Sequence, residues 1–314
     1  MDKIFDDVNK FVLGSAQLGL NYGICNTTGK ARPEVAKQII ESCIYYGVNY
    51  IDTASAYGNS EEVIGDVLAD SELSNIKVIT KINFQQIISN KTTKIEIFNS
   101  VDFEIKKSIK NLKSPKIFCL LLHRASDLTD YSGSIWSRLL KLKCEGYIQK
   151  LGVSVQTPDE LNKVLEYTDV EFIQLPMNIL DDRWTQSVDL MNEARLSRDI
   201  TVHVRSIFLQ GLLLSDNETH WQKANCVDGK MTIDWLQYIK VQLKRSTLAD
   251  LCVVYVRSLP WVDGVVIGME SIDQLNYNLP LFHGRVLTQK EMTIIEETRP
   301  KLTPDTLNPA KWKK

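Results

Sequence analysis

Four side chains suited to moving a proton stand in order along this sequence, each at the end of an apolar run. Asp52 and Tyr57 lie in IDTASAYG (Ile51 to Gly58), Lys81 follows Ile76 to Thr80, and His123 follows Ile117 to Leu122. A phenol has a pKa of about 10, so Tyr57 needs a cationic neighbour to act as an acid near neutrality, and Lys81 is the candidate. Asp52 would pair with Lys81 and keep it charged despite partial burial. His123 would offer a ring N–H to a carbonyl oxygen and stabilise the charge that develops there. The chemistry that unites them is delivery of a proton to an oxygen gaining negative charge, as when hydride reduces a carbonyl. Each residue also has an ordinary structural reading. An Asp behind a strand is often a cap or an ion pair, a Lys at a strand end is solvated, and a His behind an apolar run is a hydrogen-bonded structural group.

The elements that must position these groups are legible as eight short runs rich in apolar and β-branched residues. They are Phe11 to Leu13, Asn49 to Asp52, Lys77 to Thr80, Ile117 to Leu122, Lys150 to Ser154, Phe172 to Leu175, Thr201 to Val204 and Gly264 to Ile267. Near-continuous apolarity is the mark of parallel strands buried on both faces, and segments of helical periodicity separate the runs. Val35, Ile39, Ile40, Cys43 and Ile44 form one helical stripe, closed by Gly47. Thr157-Pro158-Asp159-Glu160 and Ser271-Ile272-Asp273-Gln274 read as capped helix starts. The alternation predicts an α/β fold, a (β/α)8 TIM barrel, with residues 1–314 as a single domain. Such a barrel gathers the C-terminal ends of its strands, and so all four groups, on one face. Asn21 to Lys30 and Ser215 to Gly229 read as polar loops on that face, where loops shape substrate pockets.

Hydrophobic residues make up 44% and charged residues 24% of the 314-residue chain, ordinary values for a globular core. Formal net charge is −2 and the cations are scattered, which excludes the basic stripe of a nucleic-acid binder. No run of about 18 apolar residues suggests a membrane span, and the acidic start MDKIFDDVNK does not resemble a secretory leader, so a cytoplasmic location is expected. Cys25, Cys43, Cys119, Cys144, Cys226 and Cys252 are widely spaced and read as reduced, mostly buried thiols. No metal site is expected, because the four histidines are scattered without H-x-x-x-H spacing.

Asp52, Tyr57, Lys81 and His123, in this order and spacing, resemble the catalytic tetrad of the aldo-keto reductases. The similarity extends from Gly14 to about Leu279. In LGVS it assigns Ser154, and in IQLPMN it assigns Gln174, to the nicotinamide carboxamide. VRSIFLQGLL (Val204 to Leu213) resembles the loop over the pyrophosphate and nicotinamide, with Ser206 and Gly211 at matching positions. VVIGMESIDQLNYN (Val265 to Asn278) resembles the adenine-ribose loop and the helix behind it, with Gly268, Met269, Glu270, Ser271, Gln274 and Asn278 toward the cofactor. Two departures stand out. Val155 replaces an Asn common after the strand 5 serine, and Arg205 stands where an aromatic ring commonly stacks on the nicotinamide. A guanidinium there can stack in its place or meet an anionic substrate. His203, two residues earlier, is expected to point into structure.

The resemblance implies an NAD(P)H-dependent reductase that converts a small aldehyde or ketone to an alcohol. SAQLGLNYGICN (Ser15 to Asn26), with VRSIFLQGLL, is similar to a bacterial-type subgroup associated with sugar and polysaccharide carbonyls. Between Gly268 and Asn278 there is no cation for a 2′-phosphate, while Glu270 and Asp273 add negative charge, so of NADPH and NADH the latter is expected to be accepted at least as well. Gln274 also reads as the reciprocal partner of the Ser271 cap. The alternatives are a cofactor-binding regulatory subunit of the same fold, resembling the β subunits of potassium channels, and a Schiff-base aldolase with Lys81 as nucleophile. Oligomeric state is left open.

Overall fold

All eight apolar runs form strands, and each pairs in parallel with the next in sequence until β8 returns to β1 and closes a barrel. The computed structural model describes residues 8–23, 26, 29–69, 75–88 and 93–313. The strands are β1 (Phe11–Gly14), β2 (Tyr50–Asp52), β3 (Lys77–Ile82), β4 (Ile117–Leu122), β5 (Ile148–Ser154), β6 (Phe172–Pro176), β7 (Thr201–Arg205) and β8 (Gly264–Gly268). Most bounds differ from the sequence expectation by one or two residues. The difference that matters is in β3, where Lys81 lies inside the strand, in register with Leu121 of β4, and not beyond its end. A charged side chain survives there because a carboxylate meets it, as described below.

Two apolar layers follow from the alternation of side chains along each strand. Outward-facing residues pack against the helices in one large core. A second, smaller cluster of Ile79, Cys119, Leu121 and Phe172, with Tyr50 and Phe118 against it, fills the barrel below the mouth. His203 belongs to that interior. Its ring meets Phe172 edge-on at 4.6 Å and Tyr50 at 5.0 Å between centroids, and burial holds its pKa down to about 3. Gly264 on β8 makes the room, since a Cβ there would lie 2.4 Å from His203 Nε2.

The helix Pro33–Tyr45 buries Ala36, Ile39, Ile40 and Cys43 and is followed by Gly47 at φ +74°, as the stripe and the glycine imply. Thr157 and Ser271 both cap helices through the N–H three residues on. The reciprocal arms go elsewhere, however. Glu160 accepts from the Gln156 N–H at 2.5 Å, and Gln274 Oε1 accepts from the Glu270 N–H at 2.9 Å, each one residue before the cap. The polar segment Ser215 to Gly229 is not a plain loop. Asn217 caps the helix Glu218–Lys223, which buries Trp221. Cys43, Cys119, Cys226 and Cys252 are buried free thiols, whereas Cys144 is exposed; Cys25 lies outside the described residues. Burial pushes the Cys43 and Cys252 thiols up to about 12. Among the described residues no helix is long and apolar enough to cross a membrane.

Candidate active site

Asp52 is the last residue of β2, and both its oxygens accept from Lys81 Nζ at 2.6 Å. Asp52 Oδ2 also accepts from Gln174 Nε2 at 2.7 Å, which draws β2, β3 and β6 together across the barrel. All three side chains are buried. Burial lowers the Lys81 pKa, and the charge and hydrogen bonds of Asp52 oppose that shift.

Tyr57 stands in the turn between β2 and the helix Ser60–Ala69. Ser55 N–H donates to the Lys81 carbonyl, and Tyr57 N–H donates to the Ala54 carbonyl, each at 2.9 Å. The turn is locked to the segment after β1 by two glycines. A Cβ on Gly19 would lie 1.7 Å from the Tyr57 carbonyl oxygen, and one on Gly58, at φ +59°, 2.3 Å from the Gly19 carbonyl oxygen. The Tyr57 ring meets His123, the residue just past β4, edge-on at 6.1 Å, and Lys81 Nζ lies 5.5 Å from the Tyr57 ring centroid.

The electrostatics differ from the sequence expectation in one respect. The Tyr57 pKa is raised, first by burial and then by Asp52 and Tyr22, and the cation that opposes the rise is Arg205. The Lys81 ammonium, 5.5 Å from the Tyr57 ring centroid, is directed at both oxygens of Asp52. Tyr57 is therefore a protonated group throughout the physiological range. His123 is held down to about 3 by burial, Lys81 and Arg205, so its imidazole is neutral and carries a single N–H. The site thus joins a protonated phenol, a neutral imidazole and a buried ammonium–carboxylate pair, a set that can donate a proton and hydrogen-bond an oxygen.

Ser154, the last residue of β5, is the register partner of Gln174, which lies in the middle of β6 and not at its end as the sequence suggested. Because Gln174 Nε2 is engaged by Asp52, Gln174 Oε1 is left buried and without a partner, and Ser154 Oγ makes no hydrogen bond among the described residues. An acceptor beside a hydroxyl complements a primary carboxamide, so these residues fit the nicotinamide end of a dinucleotide. Past β7, Ser206, Leu209, Gln210 and Gly211 all have positive φ, at +62°, +48°, +55° and +92°. This curled backbone suits the close approach that a phosphate-covering loop needs. Gly268, the last residue of β8, is exposed; past it, Met269 is buried in the core and Asn278 is buried at the end of the helix Ile272–Asn278. Gln274 bonds to Glu270 twice, accepting from its N–H and donating from Nε2 to its carboxylate at 2.9 Å, while Ser271 caps the helix.

Arg205 Nη2 donates to the Val155 carbonyl at 3.2 Å and to Gln156 Oε1 at 2.9 Å. Gln156 was not singled out in the sequence, although it directly follows Ser154 and Val155. Two more rim residues escaped notice. Tyr22 receives a 3.4 Å hydrogen bond from Gln210, and Gln17 lies against Gly268 with a buried, unpartnered Oε1. Their positions in the segment after β1, Gln17 in the short helix Ala16–Gly19 and Tyr22 just beyond it, were the available signal.

Comparison with known proteins shows the family and the fold. A model of the Aldo/keto reductase family matches residues 10–300. The uncharacterized oxidoreductase YqkF of Bacillus subtilis is 24% identical over 300 residues, covering 92% of this chain and 96% of that protein. The NADH-specific methylglyoxal reductase of Escherichia coli is 26% identical over 230 residues, covering 68% and 69%. Among solved structures, an aldo-keto reductase from Bacillus halodurans in its holo form superposes with a TM-score of 0.69 at 22% identity, covering 93% of each chain. A glycerol dehydrogenase from Gluconobacter oxydans superposes at 0.70 with 20% identity, covering 94% of each. These two structures share the barrel.

Proposed function

Because this chain belongs to the aldo/keto reductase family and is thereby an NAD(P)H-dependent oxidoreductase, we propose that it reduces a small aldehyde or ketone to the alcohol, with Tyr57 as proton donor. The bound dinucleotide supplies the hydride that adds to the carbonyl carbon. Tyr57 gives its phenolic proton to the carbonyl oxygen as negative charge gathers there. Its raised pKa keeps the proton in place until that charge develops, and the resulting phenolate lies within the field of Lys81 and Arg205. Neutral His123 donates its N–H to the same oxygen and orients the substrate. Asp52 keeps Lys81 charged in a position that would otherwise neutralise it. The observation that carries this reading is the meeting of Asp52, Lys81, Tyr57 and His123 at one barrel mouth. Turnover of a panel of aldehydes and keto sugars, followed by loss of reduced-nicotinamide absorbance, tests it. No turnover with either cofactor would overturn it.

The Schiff-base alternative is disfavoured by a specific observation. Lys81 is 1% exposed and its ammonium is bound by both oxygens of Asp52, so it is neither open to a carbonyl nor free to act as a neutral amine. Retention of a substrate on Lys81 after borohydride treatment would reverse this judgement.

For the cofactor, Ser154 and Gln174 take the carboxamide, the segment from Ser206 to Gly211 covers the pyrophosphate, and Gly268, Met269, Glu270, Ser271, Gln274 and Asn278 surround the adenosine. Glu270 sets a carboxylate, held by Gln274, where a 2′-phosphate would sit. NADH is therefore accepted at least as well as NADPH, a reading that the name of the E. coli relative supports. Titrating both against tryptophan fluorescence tests it. NADPH binding tighter by roughly tenfold, or about 1.4 kcal/mol, would refute it.

A further inference from the structure

The two departures from the family pattern, Val155 and Arg205, meet in space, since the Arg205 guanidinium donates to the Val155 carbonyl. Its other acceptor is the amide oxygen of Gln156. Both acceptors are neutral, and among the described residues Arg205 makes no ion pair. Only one of its nitrogens is engaged, although a guanidinium carries five donor hydrogens. The contact also orients Gln156. With Oε1 facing Arg205, Nε2 is left buried without an acceptor, and flipping the amide would set two donors against each other. The Gln156 amide N–H donors and the remaining guanidinium donors thus lie side by side without an acceptor among the described residues.

The charges around them point the same way. Lys81 and Asp52 compensate each other, and Tyr57 and His123 are neutral, so within this group Arg205 carries the charge that no ion pair offsets among the described residues. It is near enough to the reacting groups to act on Tyr57, Lys81 and His123 electrostatically. A carboxylate or phosphate has acceptor oxygens enough for both donors at once, matches the guanidinium fork, and binds it more strongly than a neutral oxygen does.

We infer that Arg205 and Gln156 form an anion subsite beside the carbonyl site, and that the substrate is an aldehyde or ketone bearing a carboxylate or phosphate. This inference rests on the reductase reading and narrows it to a substrate class. Sugar acids and sugar phosphates fall within that class.

The test compares succinic semialdehyde with butanal, which share a four-carbon chain and differ in one carboxylate, using the full-length protein and NADH. The wild type should favour the charged aldehyde in kcat/KM by roughly ten- to a hundredfold, the worth of a charge-assisted hydrogen bond. Arg205→Met should collapse that ratio, Arg205→Lys should keep part of it, and added salt should erode it. Glyceraldehyde 3-phosphate against glyceraldehyde provides the phosphate arm. Equal use of charged and neutral aldehydes in both arms would overturn the anion subsite while leaving the reductase reading intact. A loss shared by both aldehydes in Arg205→Met, with weaker NADH binding, would reassign Arg205 to the cofactor and also overturn it. If no aldehyde turns over, the reductase reading fails, and calorimetric titration with succinate and inorganic phosphate then judges the subsite alone. Saturable binding of either that is lost in Arg205→Met supports it, and absence of binding overturns it.

Discussion

Replacing Lys81 with Met keeps most of the side-chain stem but strands a carboxylate in the barrel. Lys81 and Asp52 are 1% and 5% exposed at the side chain, and both Asp52 oxygens receive the ammonium at 2.6 Å. In the variant the partner that remains among the described residues is Gln174 Nε2 at 2.7 Å, a neutral donor. Removing one member of a buried pair costs about 3–5 kcal/mol, mainly through the charge left behind. With an unfolding entropy of about 2.1 cal/mol/K per residue, that corresponds to a fall in Tm of about 5–8 °C for a chain of this length. Adding Asp52→Asn removes the stranded charge, so the double variant should recover most of the loss. Denaturant midpoints and thermal melts of the two single variants and the double complete the cycle. A loss below about 1 kcal/mol in Lys81→Met, or no recovery in the double variant, would refute a coupled buried pair. Stability is a separate readout from turnover, which both single changes also impair under the proposed mechanism.

Three further outcomes are expected. Tyr57→Phe should lower kcat by about 10²–10⁴-fold with little change in NADH affinity, as the loss of a general acid does; near wild-type turnover would remove Tyr57 from that role. His123, with its pKa held down to about 3, is neutral above that value, and the raised Tyr57 remains protonated, so neither group titrates between about pH 5 and 9. A profile of kcat/KM for reduction should accordingly be flat there, and an inflection near 6.5 that disappears in His123→Asn would show an ordinary histidine. Finally, Gly264→Ala drives a Cβ to 2.4 Å from His203 Nε2, whose ring is boxed by Tyr50 and Phe172. Denaturant unfolding should show a loss of about 1–3 kcal/mol from overpacking, relieved when His203 is also shortened to Ala.

The barrel was legible in the chain because parallel strands covered on both sides must be apolar almost throughout, and IFCLLL or FIQLP can scarcely be anything else. Polar groups at the ends of such runs then converge by topology, which is why Asp52, Tyr57 and His123 were found without coordinates. Caps were legible for a similar local reason, since Thr157 and Ser271 bond only three residues ahead. The two departures that define the proposed anion subsite were also visible, but as separate oddities about 50 positions apart.

Closure of the barrel decided how the polar atoms share their partners. Asp52 and Gln174 are 122 positions apart, and their contact turns the glutamine oxygen outward while helping to hold the carboxylate that engages Lys81. No local pattern encodes that contact. Lys81 is accommodated within β3 because both oxygens of Asp52 meet its ammonium, and the Tyr57 pKa rose instead of falling, first because burial penalises the phenolate and then because Asp52 adds negative charge. Likewise, the orientation of Gln156 follows from Arg205 on β7. Residue types and their order follow from the chemistry and periodicity written along the chain. Protonation states and unpaired atoms follow from burial and cross-barrel distances, which exist only once the strands have closed.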